Sequence, residues 1–153
     1  MAALELRVPP VVVTLACAGL MWAAAALSPS LAFDVPGRAV IAVVLAVAGA
    51  AVALAGVFAF RRAETTVNPV RPDAASSLVA SGVYRVTRNP MYLGFLLALL
   101  GWAVWLAYPL AFLVLPLFVA YMSRFQIRPE ERALRARFGE SFESYSRSTR
   151  RWL

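Results

Sequence analysis

Long uncharged apolar runs alternate with short segments that hold nearly all of the charge, and this alternation restricts the fold more than any other feature. The first run extends from about Val8 to Leu27. A helix rises 1.5 Å per residue and crosses a hydrocarbon core in roughly 20 residues, so the run reads as a membrane span. Pro9 and Pro10 suit its start, where a missing N–H is harmless. Ala23 to Ala26 have the small-residue character of a leader cleavage site, but the further apolar runs favour a retained helix. Runs from about Gly37 to Phe60, Pro90 to Tyr108 and Leu110 to Ile127 follow. The tight Tyr108-Pro109 turn makes the last two a helical hairpin. Pro116 predicts a kink in the second arm, because it removes a backbone donor and crowds the preceding turn. The expected fold class is therefore an all-α integral membrane protein. It has about four transmembrane helices and a C-terminal amphipathic cytoplasmic helix, in one domain spanning residues 1–153. A hydrophobic content of 61% and a mean hydropathy of +0.71 agree with that class.

The second run is rich in small residues, among them Ala42, Ala46, Gly49, Ala53 and Gly56. In lipid, such residues let helices approach closely, and packing within the chain is expected over dimerisation. Trp102, Trp105 and Tyr108 near the hairpin turn read as an interfacial aromatic belt. All 15 basic residues are arginine, and with four spans 14 of them fall on one side. Arginine enriches cytoplasmic loops, so the N-terminus, the 61–89 connection and the tail are placed in the cytoplasm, at the inner membrane. A net charge of +7 built from span-flanking arginines points to topology rather than to nucleic acid.

The connection at 61–89 is long for a small membrane domain, which favours a functional loop. Pro69 and Pro72 keep its first half extended. After Arg128, Pro129 is expected to open a new helical segment with Glu130 and Glu131 in its first turn, where the helix dipole favours carboxylates. Gly139 is a stop signal. Leu134, Phe138, Phe142 and Tyr145 give this tail a surface-lying apolar face.

The chain has no histidine and one cysteine, Cys17, inside an apolar run. That removes the usual metal ligand and general base, and no metal site is expected. No Ser/His/Asp set, phosphate loop or dinucleotide fingerprint is present. What remains is a basic, aromatic, turn-rich loop and a carboxylate pair. Carboxylates and aromatic faces favour a cationic centre, while arginine and helix-start N–H groups favour a carboxylate. Methyl transfer from a sulfonium fits this set, because in-line displacement rests on positioning and a dry site. The same residues also read as topology arginines, dipole-complementing glutamates and interfacial tyrosines.

Ser77-Leu78-Val79-Ala80-Ser81-Gly82-Val83-Tyr84, Arg88-Asn89-Pro90-Met91-Tyr92-Leu93-Gly94, Glu130-Glu131-Arg132-Ala133-Leu134, Phe138-Gly139 and Phe142-Glu143-Ser144-Tyr145 resemble the isoprenylcysteine carboxyl methyltransferase family, which is related to the phospholipid methyltransferases. The resemblance covers about Thr65 to Trp152. It implies transfer of a methyl group from S-adenosylmethionine to a lipophilic acceptor at the bilayer surface. By resemblance, Ser76, Ser77, Leu78 and Val79 line the cofactor, and Tyr84 contacts it from the turn. Asn89, Pro90, Met91 and Tyr92 wrap it, and Glu130 and Glu131 bind it from the tail. Arg88 is the cation nearest the reacting end, and Arg128 is a second candidate to meet the substrate.

Two positions depart from the family pattern. Asn89 stands where eukaryotic members carry histidine. It keeps a donor and an acceptor but cannot become cationic. The position of a substrate-orienting arginine falls near Gln126, between Arg124 and Arg128. Phospholipid amine methylation, a nicotinamide-dependent sterol-type reduction and a non-catalytic protein that retains the fold are the competing expectations.

Overall fold

The computed structural model describes residues 5–63 and 77–153, and all its regular elements are helical. In order they are α1 (Pro10–Leu27), a short 3-10 turn (Pro29–Leu31), α2 (Arg38–Arg62), a second 3-10 turn (Gly82–Arg85), α3 (Pro90–Leu106), α4 (Pro109–Met122), a π-helical turn (Ser123–Ile127), α5 (Arg128–Phe138) and α6 (Glu140–Ser148). Pro10, Pro90 and Pro109 each occupy a first helical position, as their fixed φ and missing donor favour. Three helical stretches, Pro10–Leu27, Arg38–Arg62 and Pro109–Phe138, are long and apolar enough to cross a membrane. Pro90–Leu106 is a shorter apolar helix. Leu15, Leu20, Val40, Val47, Leu113 and Leu117 all point outward. Helices that are apolar all round need an apolar solvent, which here is the bilayer.

α2 and α3 form the closest pair. A Cβ added at Gly49 would lie 2.5 Å from the Gly94 carbonyl oxygen, and one at Gly94 would lie 2.5 Å from the Gly49 oxygen. The two backbones meet where neither has a side chain, so the small residues of α2 serve packing within the chain. On the other side of α3, Tyr92, Leu99, Ala103 and Tyr108 form one core with Val13 and Met21 of α1 and Ala111, Val114, Phe118 and Met122 of α4.

Two expectations are corrected. Pro129 does not open a separate helix, because α4 runs through the π turn into α5 without a break. The π turn closes with the Arg128 N–H donating to the Ser123 carbonyl. Pro129 supplies no donor to the turn before it, and the Phe125 carbonyl instead accepts the Leu6 N–H at 3.0 Å. A π turn tolerates the proline because the helix is already widened there. The aromatic belt is also revised. Tyr108 is buried in the core, and the Trp102 indole donates to the Ala18 carbonyl at 3.1 Å, so both cement the bundle. Only Trp105 stays exposed, with the Arg38 guanidinium over its ring.

Candidate functional site

The polar residues converge where α3 begins and α5 begins. The Gly82–Arg85 turn lays Tyr84 into the bundle, edge-on to Phe60 of α2, and the Tyr84 carbonyl accepts the Tyr145 hydroxyl of α6 at 2.8 Å. Gly82 has φ +60, a conformation a residue without Cβ adopts freely, and it starts this turn. The chain then runs beside the C-terminal residues. Thr87 and Arg150 make a parallel bridge, and the Arg88 N–H donates to the Arg150 carbonyl at 2.9 Å. The Asn89 side-chain amide donates to the Arg151 carbonyl at 2.8 Å.

Asparagine is a strong helix N-cap, and Asn89 stands at that position of α3. Its side chain is committed to Arg151, so no side chain caps α3. Among the described residues no side chain accepts from the first-turn N–H groups of Met91 and Tyr92, and such groups at a helix start can take an anion.

The two glutamates have different surroundings. The Tyr92 hydroxyl donates to Glu130 Oε1 at 2.5 Å. Although the residue keeps a partly exposed flank, its carboxyl is sunk against α3. Desolvation pushes its pKa up to about 8, and the neighbouring Glu131 charge adds to the rise. The bond from Tyr92 acts in the opposite direction. Glu130 lies three residues beyond Ile127, in the charged stretch past the apolar part of its helix. Glu131 is clasped by arginine. Arg151 binds it through Nε at 2.9 Å and Nη2 at 2.6 Å, and Arg88 Nη2 lies 3.2 Å from its Oε1. The Arg88 Nε is buried and has no hydrogen-bond partner among the described residues.

The structure thus brings together Tyr84, Arg88, Asn89, Pro90, Met91, Tyr92, Glu130 and Glu131 of the residues singled out in the sequence. Val79 is buried and Leu78 half-buried ahead of the Tyr84 turn, and the Ser77 hydroxyl donates to the Ala63 carbonyl. Ser76 lies outside the described residues. Arg128 is exposed and two residues before Glu130, so it projects from a different side of the helix. Gln126 is fully buried and donates to the Val8 carbonyl at 2.6 Å. Sequence reasoning missed Thr87, Arg151 and the bond from Trp152 to Ser123, all of which fasten the tail. It also missed Glu5, which pairs with Arg124 and Arg132. A lone acid near the N-terminus and arginines near the C-terminus carry no spacing signal for such pairings.

These features define a small helical integral membrane protein with a buried acid–tyrosine pair at the polar end of its helices. The sequence profile of the phospholipid methyltransferase family matches residues 38–141, more than half of the chain, and the chain belongs to that family. An uncharacterized protein of Haemophilus influenzae is 43% identical over 63 residues, which is 41% of this chain and all of that protein. No solved structure matches the chain.

Proposed function

We propose that this protein is an S-adenosylmethionine-dependent methyltransferase acting on a lipophilic acceptor at the cytoplasmic membrane face. In this reading α3 is a fourth span forming a hairpin with α4, the chain is one membrane domain, and both termini lie in the cytoplasm. The carrying observation is the Tyr92–Glu130 pair beside a helix start and a buried Arg88 Nε that, among the described residues, have no side-chain cap and no hydrogen-bond partner respectively. These groups match a zwitterionic cofactor. Glu130 takes its ammonium, the N–H groups of Met91 and Tyr92 take its carboxylate, and Tyr84 and Val79 supply apolar and aromatic contact. Ser77 and Leu78 line the approach, and Asn89 and Pro90 fix the helix start; Ser76 is proposed to act with them from outside the described residues. Glu131 holds the Arg88 and Arg151 side chains in place.

When bound, the cofactor supplies an electrophilic methyl group on a sulfonium. The protein's part is to orient that group, exclude water and present the acceptor in line. Arg88 is the cation placed to steady the acceptor; Arg128, facing elsewhere, is not needed for that task. The acceptor is an isoprenylcysteine carboxylate or another small amphiphile. A phospholipid amine is the second reading, favoured by the family description. Gln126, standing where a carboxylate-orienting arginine is expected, is buried and donates to the Val8 carbonyl, which weighs against a carboxylate acceptor and toward a neutral amine.

Calorimetric titration of S-adenosylmethionine and S-adenosylhomocysteine into the detergent-purified chain tests the reading, with NADPH as control. Saturable binding of both sulfur compounds, lost in a folded Glu130→Gln variant, is expected. A folded wild type that binds neither compound, or binds NADPH instead, overturns it.

A further inference from the structure

The N-terminal segment before α1 is strapped across the π turn. The Leu6 N–H donates to the Phe125 carbonyl, Gln126 donates to the Val8 carbonyl, and the Glu5 carboxylate bridges Arg124 and Arg132. Because Arg124 and Arg132 reach the two oxygens of one carboxylate, they project from the same side of the α4–α5 helix. Arg128 lies four residues from each and belongs to that stripe. It is exposed, with no ion-pair partner among the described residues. Arg7, in the strap between Leu6 and Val8, is also exposed. With Glu5 against three arginines of the stripe, Arg124, Arg128 and Arg132, a net charge of about +2 remains there.

The stripe stands at the head of an apolar groove. Between α1 and α4 a cavity of about 370 Å³ is lined by Val8, Val12, Cys17, Val114, Phe118 and Tyr121, among others. That volume is within the range of small-molecule sites. The groove and the stripe are joined through aromatic rings. The Tyr121 ring, in the groove wall, lies 4.9 Å from the Phe125 ring, and the Arg124 guanidinium sits 5.2 Å over Phe125. Glu130 projects away from this side toward Tyr92, so the groove is separate from the proposed cofactor site.

We infer that this groove and stripe form a binding site for one anionic phospholipid of the bilayer, with an acyl chain in the α1–α4 groove and the phosphate on Arg128, flanked by Arg124 and Arg132. A basic cluster at the mouth of an interhelical groove recognises a lipid head by charge, and the adjoining apolar wall selects the attached chain. Glu5 orders the two outer arginines and leaves the middle one for the ligand. The inference does not depend on the methyltransferase reading.

The test is native mass spectrometry of the full chain released from detergent after incubation with phosphatidylglycerol or phosphatidylcholine. Preferential retention of phosphatidylglycerol is expected. An arginine near a membrane surface contributes about 1 kcal/mol, so Arg128→Gln should lower that retention about fivefold. Ala16→Phe fills the groove, touches no charge and replaces an exposed side chain, and it should also lower retention. Arg38→Gln, at the far end of the bundle, should leave retention unchanged. Equal retention of the two lipids overturns the site. So does loss in Arg128→Gln with full retention in Ala16→Phe, which is the result for surface charge attraction without a groove.

Discussion

Glu130 and Glu131 are adjacent in sequence and both lie in the first turn of α5, yet they belong to two different regions. Glu130 faces α3, receives one hydroxyl hydrogen bond and has a pKa raised by desolvation. Glu131 faces the loop and the C-terminal residues and is held by two guanidinium groups. A helix turns about 100° per residue, so adjacent side chains serve different neighbours. Among the described residues Glu130 has no cation beside it, whereas Glu131 already carries two and acts as a fastener. The fastener joins three separate stretches of chain, and the open acid contributes to none of those joints.

Breaking the clasp should have the largest effect on stability. Glu131→Ala leaves Arg88 without its charge partner, and removing one member of a largely buried ion pair costs about 3 kcal/mol. The exposure of Arg151 moderates that loss. Thermal unfolding in detergent measures it, and limited proteolysis should show release of the residues after Phe142. A variant as stable as wild type would mean that the clasp fastens nothing.

Glu130→Gln should have the opposite signature, with stability near wild type and cofactor affinity lowered at least about tenfold, as for loss of a charged hydrogen bond. If Glu131→Gln lowers affinity more than Glu130→Gln does at matched stability, the roles of the two acids are exchanged.

A pH titration sharpens the same contrast. The Glu130 carboxyl has a folded-state pKa near 8, above its usual value of 4.5. The folded state therefore favours the protonated form. The stability this protonation contributes is fully present below about 4.5 and is lost as pH rises through about 8. A cationic ligand requires the ionised form, so its affinity should rise in wild type with pH from about 5.5 to 7, below the range in which an α-ammonium itself titrates, and stay flat over that range in Glu130→Gln. A flat wild-type profile would argue against Glu130 as the counter-charge.

The smallest effect is expected from Tyr92→Phe. It removes one hydroxyl hydrogen bond, worth about 1 kcal/mol net. Since that bond lowers the Glu130 pKa, its loss should move the midpoint of the affinity profile to higher pH. A downward shift would assign the tyrosine a different role.

Much of this architecture is legible in the sequence. Uncharged runs located the long helices, prolines marked the starts of α1 and α3, and glycines spaced along α2 announced a close neighbour. The polar turn at Gly82, the helix start at Asn89 and the acids after Pro129 stood out because each has a local chemical signature. Other features were misread by the same local logic. Pro129 looked like the beginning of a helix because a proline inside one is costly, and only the π turn and the Leu6 donor remove that objection. Tyr108 and Trp102 looked interfacial because aromatic residues near an apolar boundary usually are.

The sequence by itself determined that the chain is helical, made for a bilayer, and charged at one end, because hydrophobic period and charge placement are properties of neighbours along the chain. Tertiary structure alone decided which glutamate is open and which is clasped, that Asn89 turns to Arg151 instead of capping α3, and that Glu5 closes over the π turn. Those outcomes depend on pairs separated by dozens of residues. Local spacing cannot specify them, because a hydrogen bond or an ion pair is selected by which groups the finished packing leaves within reach.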